Sequence, residues 1–211
     1  MSVQPVRGLL SRPLSEVLAA LASPHELAGG GGPAAALAAA AAAALTAKVA
    51  RGSRATWIEA GGAIAHAESL RMQAQALLER DADAFREASS MLMKSERSAR
   101  QGVAGPALGA SDADSAHLER LAGEAMIHAA DLSLAIAEAA SQITQLAGQV
   151  SRCCPPSLRP DALVAVALAE AAACASARLV EVNRRLAGDD PRRAASGAAA
   201  EAAQQARERA L

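Results

Sequence analysis

The stretch that decides the fold is GGGGPAAALAAAAAAALTAKVARG, Gly29 to Gly52. Its four glycines strip the side chains from a turn, and Pro33 follows where a missing N–H suits the first position of a helix. Alanine is the strongest intrinsic helix former. Lys48 and Arg51 stand near the end, where cations complement the helix dipole, and Gly52 closes the segment. The spacing predicts a helix from Pro33 to Gly52 so thin that its neighbours come very close. The bare turn has two readings: a device for close helix packing, or a helix N-terminus whose free N–H groups receive an anion or carboxylate. It is no nucleotide P-loop, because Pro33 and Ala34 stand where a Lys and a Ser or Thr are needed.

The rest of the chain agrees with a helical reading. Of 211 residues 52% are hydrophobic, mostly alanine, with one Phe, one Trp and no Tyr. Strands favour the β-branched and aromatic residues that are scarce here, so the expected class is all-α, a compact bundle of long antiparallel helices. The net charge of −1 comes with no basic block. Nucleic acid therefore has neither an electrostatic footprint nor stacking platforms. The alanine run from Ala34 to Ala47 is fourteen residues long, short for a bilayer span, so no membrane partner is expected. The N-terminus lacks signal-peptide features, which gives cytoplasmic location as the expectation. Cys153 and Cys154 are adjacent and Cys174 lies apart, with no C-x-x-C, so neither a disulfide nor zinc is expected.

Apolar periodicity predicts further helices at Pro13–Ser23, Thr56–Lys94 (with Gly61 and Gly62 as a candidate break), His117–Val150 and Ala162–Leu186. Ser95 to Ser115 is rich in turn residues and reads as a loop, either a lid or disordered. One helical domain is expected over residues 1–188. Residues 189–211 lack large apolar side chains and read as a frayed helix or tail.

Among the acids of LLERDADAF, Leu77 to Phe85, Asp81 lies about 60° from the centre of the apolar face, whereas Arg80 and Asp83 point away. At such an edge a carboxylate is either a paired surface charge or a group whose pKa an apolar pocket can tune. Asp161 reads as the N-cap of the helix that follows it. Ser111 to Asp114 fits a capping box, and with His117 it makes only a poor metal pattern, so no metal is expected. His66 and His128 read as half-buried packing residues. Asn183, near a helix end, could cross-link to backbone or meet a ligand.

In order, these features resemble the cyclodeaminase and methenyltetrahydrofolate cyclohydrolase family, related to the C-terminal half of formiminotransferase-cyclodeaminase. That family has a Pro-Gly-Gly-Gly-Ser turn before an alanine-rich helix, matched by GGGGPAAAL at Gly29 to Leu37. Its Asp-x-Asp-Ala-x-Ala-Phe stretch is matched by ERDADAF at Glu79 to Phe85. Its last helix is matched by PDALVAV at Pro160 to Val166 and VNRRL at Val182 to Leu186.

The resemblance implies the family's helical fold, a homodimer, and a tetrahydrofolate derivative as substrate with no prosthetic group. The reaction would be hydrolysis of 5,10-methenyltetrahydrofolate or loss of ammonia from 5-formiminotetrahydrofolate. It further implies Asp81 and Lys94 as catalytic candidates, and Gly30, Gly31, Gly32, Pro33, Asp161 and Asn183 as substrate-binding candidates. The chain departs from the family at Gly29 and Pro33 in the turn, at Glu79 in place of the first acid, and at Ala177 and Leu179. The last two stand where a tyrosine and an asparagine are common. These departures delete polar groups, which keeps two alternatives open: an enzyme for a non-folate cyclic imine or amidine, and a non-catalytic helical dimer.

Overall fold

The computed structural model describes residues 8–23, 30–102, 112–182 and 189–211. Among them there is no strand, and the helices are α1 (Leu14–Ala22), α2 (Gly31–Gly52), α3 (Ala60–Gly102), α4 (Asp112–Cys153), α5 (Arg159–Val182) and α6 (Pro191–Ala210). A 3-10 turn, Leu9–Ser11, precedes α1, and a second, Pro156–Leu158, leads into α5.

α2 is the central post, packed against α3, α4 and α5. Its fully buried positions include Ala36, Ala39, Ala42, Ala43, Ala47, Val49 and Ala50, so small side chains rather than long ones set its spacing from the neighbours. Larger groups on the facing helices, Leu78, Ile136, Ile143, Val150 and Val166, fill the room these alanines leave. Buried hydroxyls turn back onto their own helices: Thr46 donates to the Ala42 carbonyl and Thr144 to the Ala140 carbonyl, each at 2.8 Å.

Polar contacts give the directions. Arg51 of α2 meets Glu68 of α3 at 2.6 Å, and Lys48 of α2 meets Asp161 of α5 at 2.6 Å. The end of α2 therefore lies beside the starts of α3 and α5, and both run antiparallel to it. α6 packs on α4 and α5. The Arg192–Asp131 pair at 2.5 Å joins the start of α6 to α4, and Gly148 lies beside Ala206 further along, so α6 runs parallel to α4.

Several boundaries differ from the sequence expectation. α2 begins at Gly31, which puts Pro33 third in the helix, where its missing N–H still falls among the unbonded groups of the first turn. Gly61 and Gly62 sit in the first turn of α3 and do not interrupt it. The expected loop at 95–115 contracts, because α3 continues to Gly102 and α4 starts at Asp112; residues 103–111 lie outside the described ones. Residues 189–211 hold a regular helix instead of a frayed one. Asp190 caps it by accepting from the Arg192 N–H at 2.9 Å, and Ser196, Ala199, Ala203, Ala206 and Ala210 form its buried seam. A search for large apolar residues misses a seam made of alanine and serine.

By length and composition alone α2 and the segment Pro156–Glu181 are each long and apolar enough to cross a membrane, contrary to the estimate from the alanine run. α2 is wrapped by three helices, the position of a core helix.

Candidate functional site

At the end of the bundle where α2 begins, four helices leave a cleft of about 230 Å3. Gly30, Gly31 and Gly32 form one wall; Asp81 and Phe85 come from α3. α4 contributes Met126, Ala129, Ala130 and Ser133, and α5 contributes Leu179 and Val182.

The glycines of the opening stretch now have a specific reason. A Cβ placed on Gly32 would lie 2.3 to 2.6 Å from the carboxyl atoms of Asp81, closer than any real contact. The carboxylate occupies the space that a side chain at residue 32 would take. A Cβ on Gly31 would meet the side chain of Leu179 at 3.2 to 3.8 Å, so Leu179 covers the other side of the same turn. The close-packing reading of the turn holds, and what packs against it is a carboxylate.

Asp81 is 9% exposed, and burial pushes its pKa from 3.8 up to about 6, with the nearby charge of His128 acting in the opposite sense. The positive end of α2 also favours the ionised form. Asp81 makes no ion pair among the described residues. A buried acid that titrates near neutrality can both take and return a proton.

Glu79, two residues earlier, does something else. Its carboxylate accepts the N–H groups of Leu9 at 2.9 Å and Leu10 at 2.5 Å, fastening the N-terminal 3-10 turn to α3. Leu9 is thereby seated in the apolar cluster formed by Ala35, Ala36, Leu78, Ala82 and Ile136.

The remaining candidates divide. Gly30, Gly31 and Gly32 line the cleft, whereas Pro33 is fully buried and does not line it. Asp161 is not at the site. It lies in the first turn of α5, which begins three residues earlier than expected, so it is no N-cap; its carboxylate pairs with Lys48 near the opposite end of α2. Sixteen residues of helix separate Lys48 from Gly32, about 24 Å. Lys94 is on α3, about 20 Å along the axis from Asp81, and its side chain lies outside the described residues. Asn183 also lies outside them.

His66 and His128 are exposed, contrary to the packing expectation, because each falls on the solvent side of its helix. Sequence reasoning missed Met126, Ala129, Ala130 and Ser133. Their only signal is a patch of small side chains beside the apolar stripe of α4. Among the described residues no group of three His, Cys, Asp or Glu side chains is placed to hold a metal ion.

The all-helical bundle has a counterpart among solved structures. The fold is similar to that of formiminotetrahydrofolate cyclodeaminase from Thermotoga maritima, with a TM-score of 0.71, 17% identity, and coverage of 96% of this chain and 95% of that one. The model of the family described as formiminotransferase-cyclodeaminase matches residues 13–204, and the chain belongs to that family. No curated protein sequence matches the chain.

Proposed function

We propose that the cleft carries out C–N bond chemistry on a folate one-carbon adduct, either hydrolysis of 5,10-methenyltetrahydrofolate or deamination of 5-formiminotetrahydrofolate. The observation that carries this reading is Asp81, the one titratable side chain lining the cleft among the described residues, with its pKa pushed up to about 6. Family membership supplies the substrate class.

In the hydrolysis, ionised Asp81 takes a proton from water as the water oxygen bonds to the methenyl carbon. The bond from that carbon to the pteridine ring nitrogen then breaks as Asp81 returns the proton to this nitrogen, and the adduct's hydroxyl proton passes to solvent, leaving the formyl group on the other nitrogen. In the deamination, the second substrate nitrogen adds to the carbon of the protonated formimino group and loses its own proton to solvent, and protonated Asp81 delivers its proton to the departing ammonia. No prosthetic group is required, because the one-carbon unit is already electrophilic. The test is loss of the methenyltetrahydrofolate absorbance with purified protein and with Asp81→Asn. Turnover that disappears in the variant supports the reading, and no turnover above the uncatalysed rate ends it.

A second reading, a non-folate cyclic imine or amidine as substrate, is favoured by the lining itself, in which Asp81 and Ser133 are the only polar side chains among the described residues. The non-catalytic alternative calls for a filled cleft and an Asp81 that is solvated or salt-bridged, and the open cleft and the burial of Asp81 speak against it.

The functional unit we propose is a homodimer in the cytoplasm. α5 carries an outward stripe of Val164, Leu168, Ala171, Ala175, Arg178 and Val182, spaced alternately by four and three residues and mostly apolar, as in a helix-pairing seam. Val164 is 50% and Val182 68% exposed. Sedimentation of Val164→Lys as a monomer, against a dimeric parent, is the expected outcome.

A further inference from the structure

Among the described residues the cleft holds very few polar groups to offer a ligand. Apart from Asp81 and Ser133 their side chains are hydrocarbon, thioether or phenyl, or absent at the glycines. The other polar resource is the backbone of the first turn of α2, which neighbouring groups crowd. The Asp81 carboxylate occupies the space beside Gly32, Leu179 covers Gly31, and Pro33 has no N–H.

A heterocycle with several donors and acceptors on its edge would leave them facing Phe85, Leu179 and Val182, with each unpaired group counting against binding. A cation fares differently. Folding has already taken the Asp81 carboxylate out of water, so a positive ligand restores a partner to it without a fresh desolvation of that acid. Phe85, half-exposed on the cleft wall, offers a ring to the same charge. At about 230 Å3 the cleft suits a ring-sized group better than a whole drug-sized molecule.

We propose that this cleft selects a compact flat cation, an amidinium or iminium on an apolar ring, with Asp81 as its counter-charge and Leu179 as the residue that sets the specificity. The proposal rests on the reading of this cleft as the reactive site and names what that site recognises: the cationic head, with any polar remainder of the substrate held outside.

The probes are benzamidine, the neutral isostere benzamide and the anion benzoate, titrated by calorimetry into the full chain at pH 7.5, where Asp81 is ionised. Benzamidine is expected to bind at least tenfold more tightly than benzamide, with no binding of benzoate. Asp81→Asn should lose tenfold or more for benzamidine alone. Leu179→Asn should narrow the benzamidine-to-benzamide ratio several-fold by giving the amide a partner, and Leu179→Ser is the second variant should the first not fold, judged by circular dichroism. Equal binding of benzamidine and benzamide, or benzamidine binding untouched by Asp81→Asn, overturns the proposal. An unchanged ratio in the folded Leu179 variant removes Leu179 from its role. Turnover of methenyltetrahydrofolate is read separately. Turnover without cation preference sinks this proposal and leaves the function standing, whereas cation preference without turnover does the reverse.

Discussion

The two ends of the bundle are built from the same helices and hold opposite kinds of aspartate. At the start of α2, Asp81 is buried against a glycine and has no ion-pair partner among the described residues. Near its end, Asp161 is half in water and touches Lys48 at 2.6 Å. Both acids fall in segments that resemble family motifs, and only one stands where chemistry can use it. What separates them is the neighbour on α2: a residue without a side chain at position 32, and a long cation at position 48. A carboxylate becomes reactive when the chain denies it both water and a counter-ion.

The sharpest way to break this contrast is a pair of glycine substitutions. Gly32→Ala drives a methyl group into the Asp81 carboxylate, and we expect a hundredfold or greater loss of turnover with a clear fall in melting temperature, since overpacking costs about 1–3 kcal/mol. At the other end Gly52→Ala meets only the tip of the flexible Leu158 side chain, and turnover should be unchanged.

Asp81→Asn sharpens the contrast in a second way, by improving stability as it removes activity. The folded-state pKa is raised, so Asp81 contributes stability below about pH 4 that is lost as pH rises through about 6. The shift from 3.8 to about 6 corresponds to about 3 kcal/mol as an upper bound. Asp81→Asn should therefore be more stable than the parent above pH 6 by up to that amount, with the gain vanishing near pH 4, as read by urea unfolding across pH. Hydrolysis by the parent should rise with pH through about 6, because the ionised form is the base.

Glu79→Gln comes next. Its carboxylate holds two backbone N–H groups, and we expect a loss of about 1–3 kcal/mol, with turnover reduced less than in Gly32→Ala. The smallest effect belongs to Asp161→Asn, an exposed pair worth about 0–1 kcal/mol, with turnover unaffected.

The helical class and the course of α2 were legible in the sequence because they rest on local chemistry, alanine propensity and a bare turn. Helical phase put Asp81 at the edge of the apolar face while leaving open whether it was a paired surface charge or an acid in a pocket. What escaped depends on contacts far apart in the chain or on side chains too small to leave a pattern. Asp161 looked like a cap because its partner, Lys48, is 113 residues away. Glu79 gave no sign that it would hold Leu9 and Leu10. The cleft wall on α4 is made of Ala129, Ala130 and Ser133, whose contribution is the room they leave, and the seam of α6 is invisible for the same reason. Leu179 was noticed as a departure from the family, and only its position over Gly31 says what the departure does.

Trp57 is the one tryptophan of a chain without tyrosine, and it packs on the apolar cluster in the turn between α2 and α3, a helix length away from the cleft. Its fluorescence therefore reports on the Lys48–Asp161 end alone, and the cleft end is dark. A heterocycle entering the cleft adds its absorbance to a nearly empty near-ultraviolet background, so ligand binding and global unfolding can be followed in one sample at separate wavelengths.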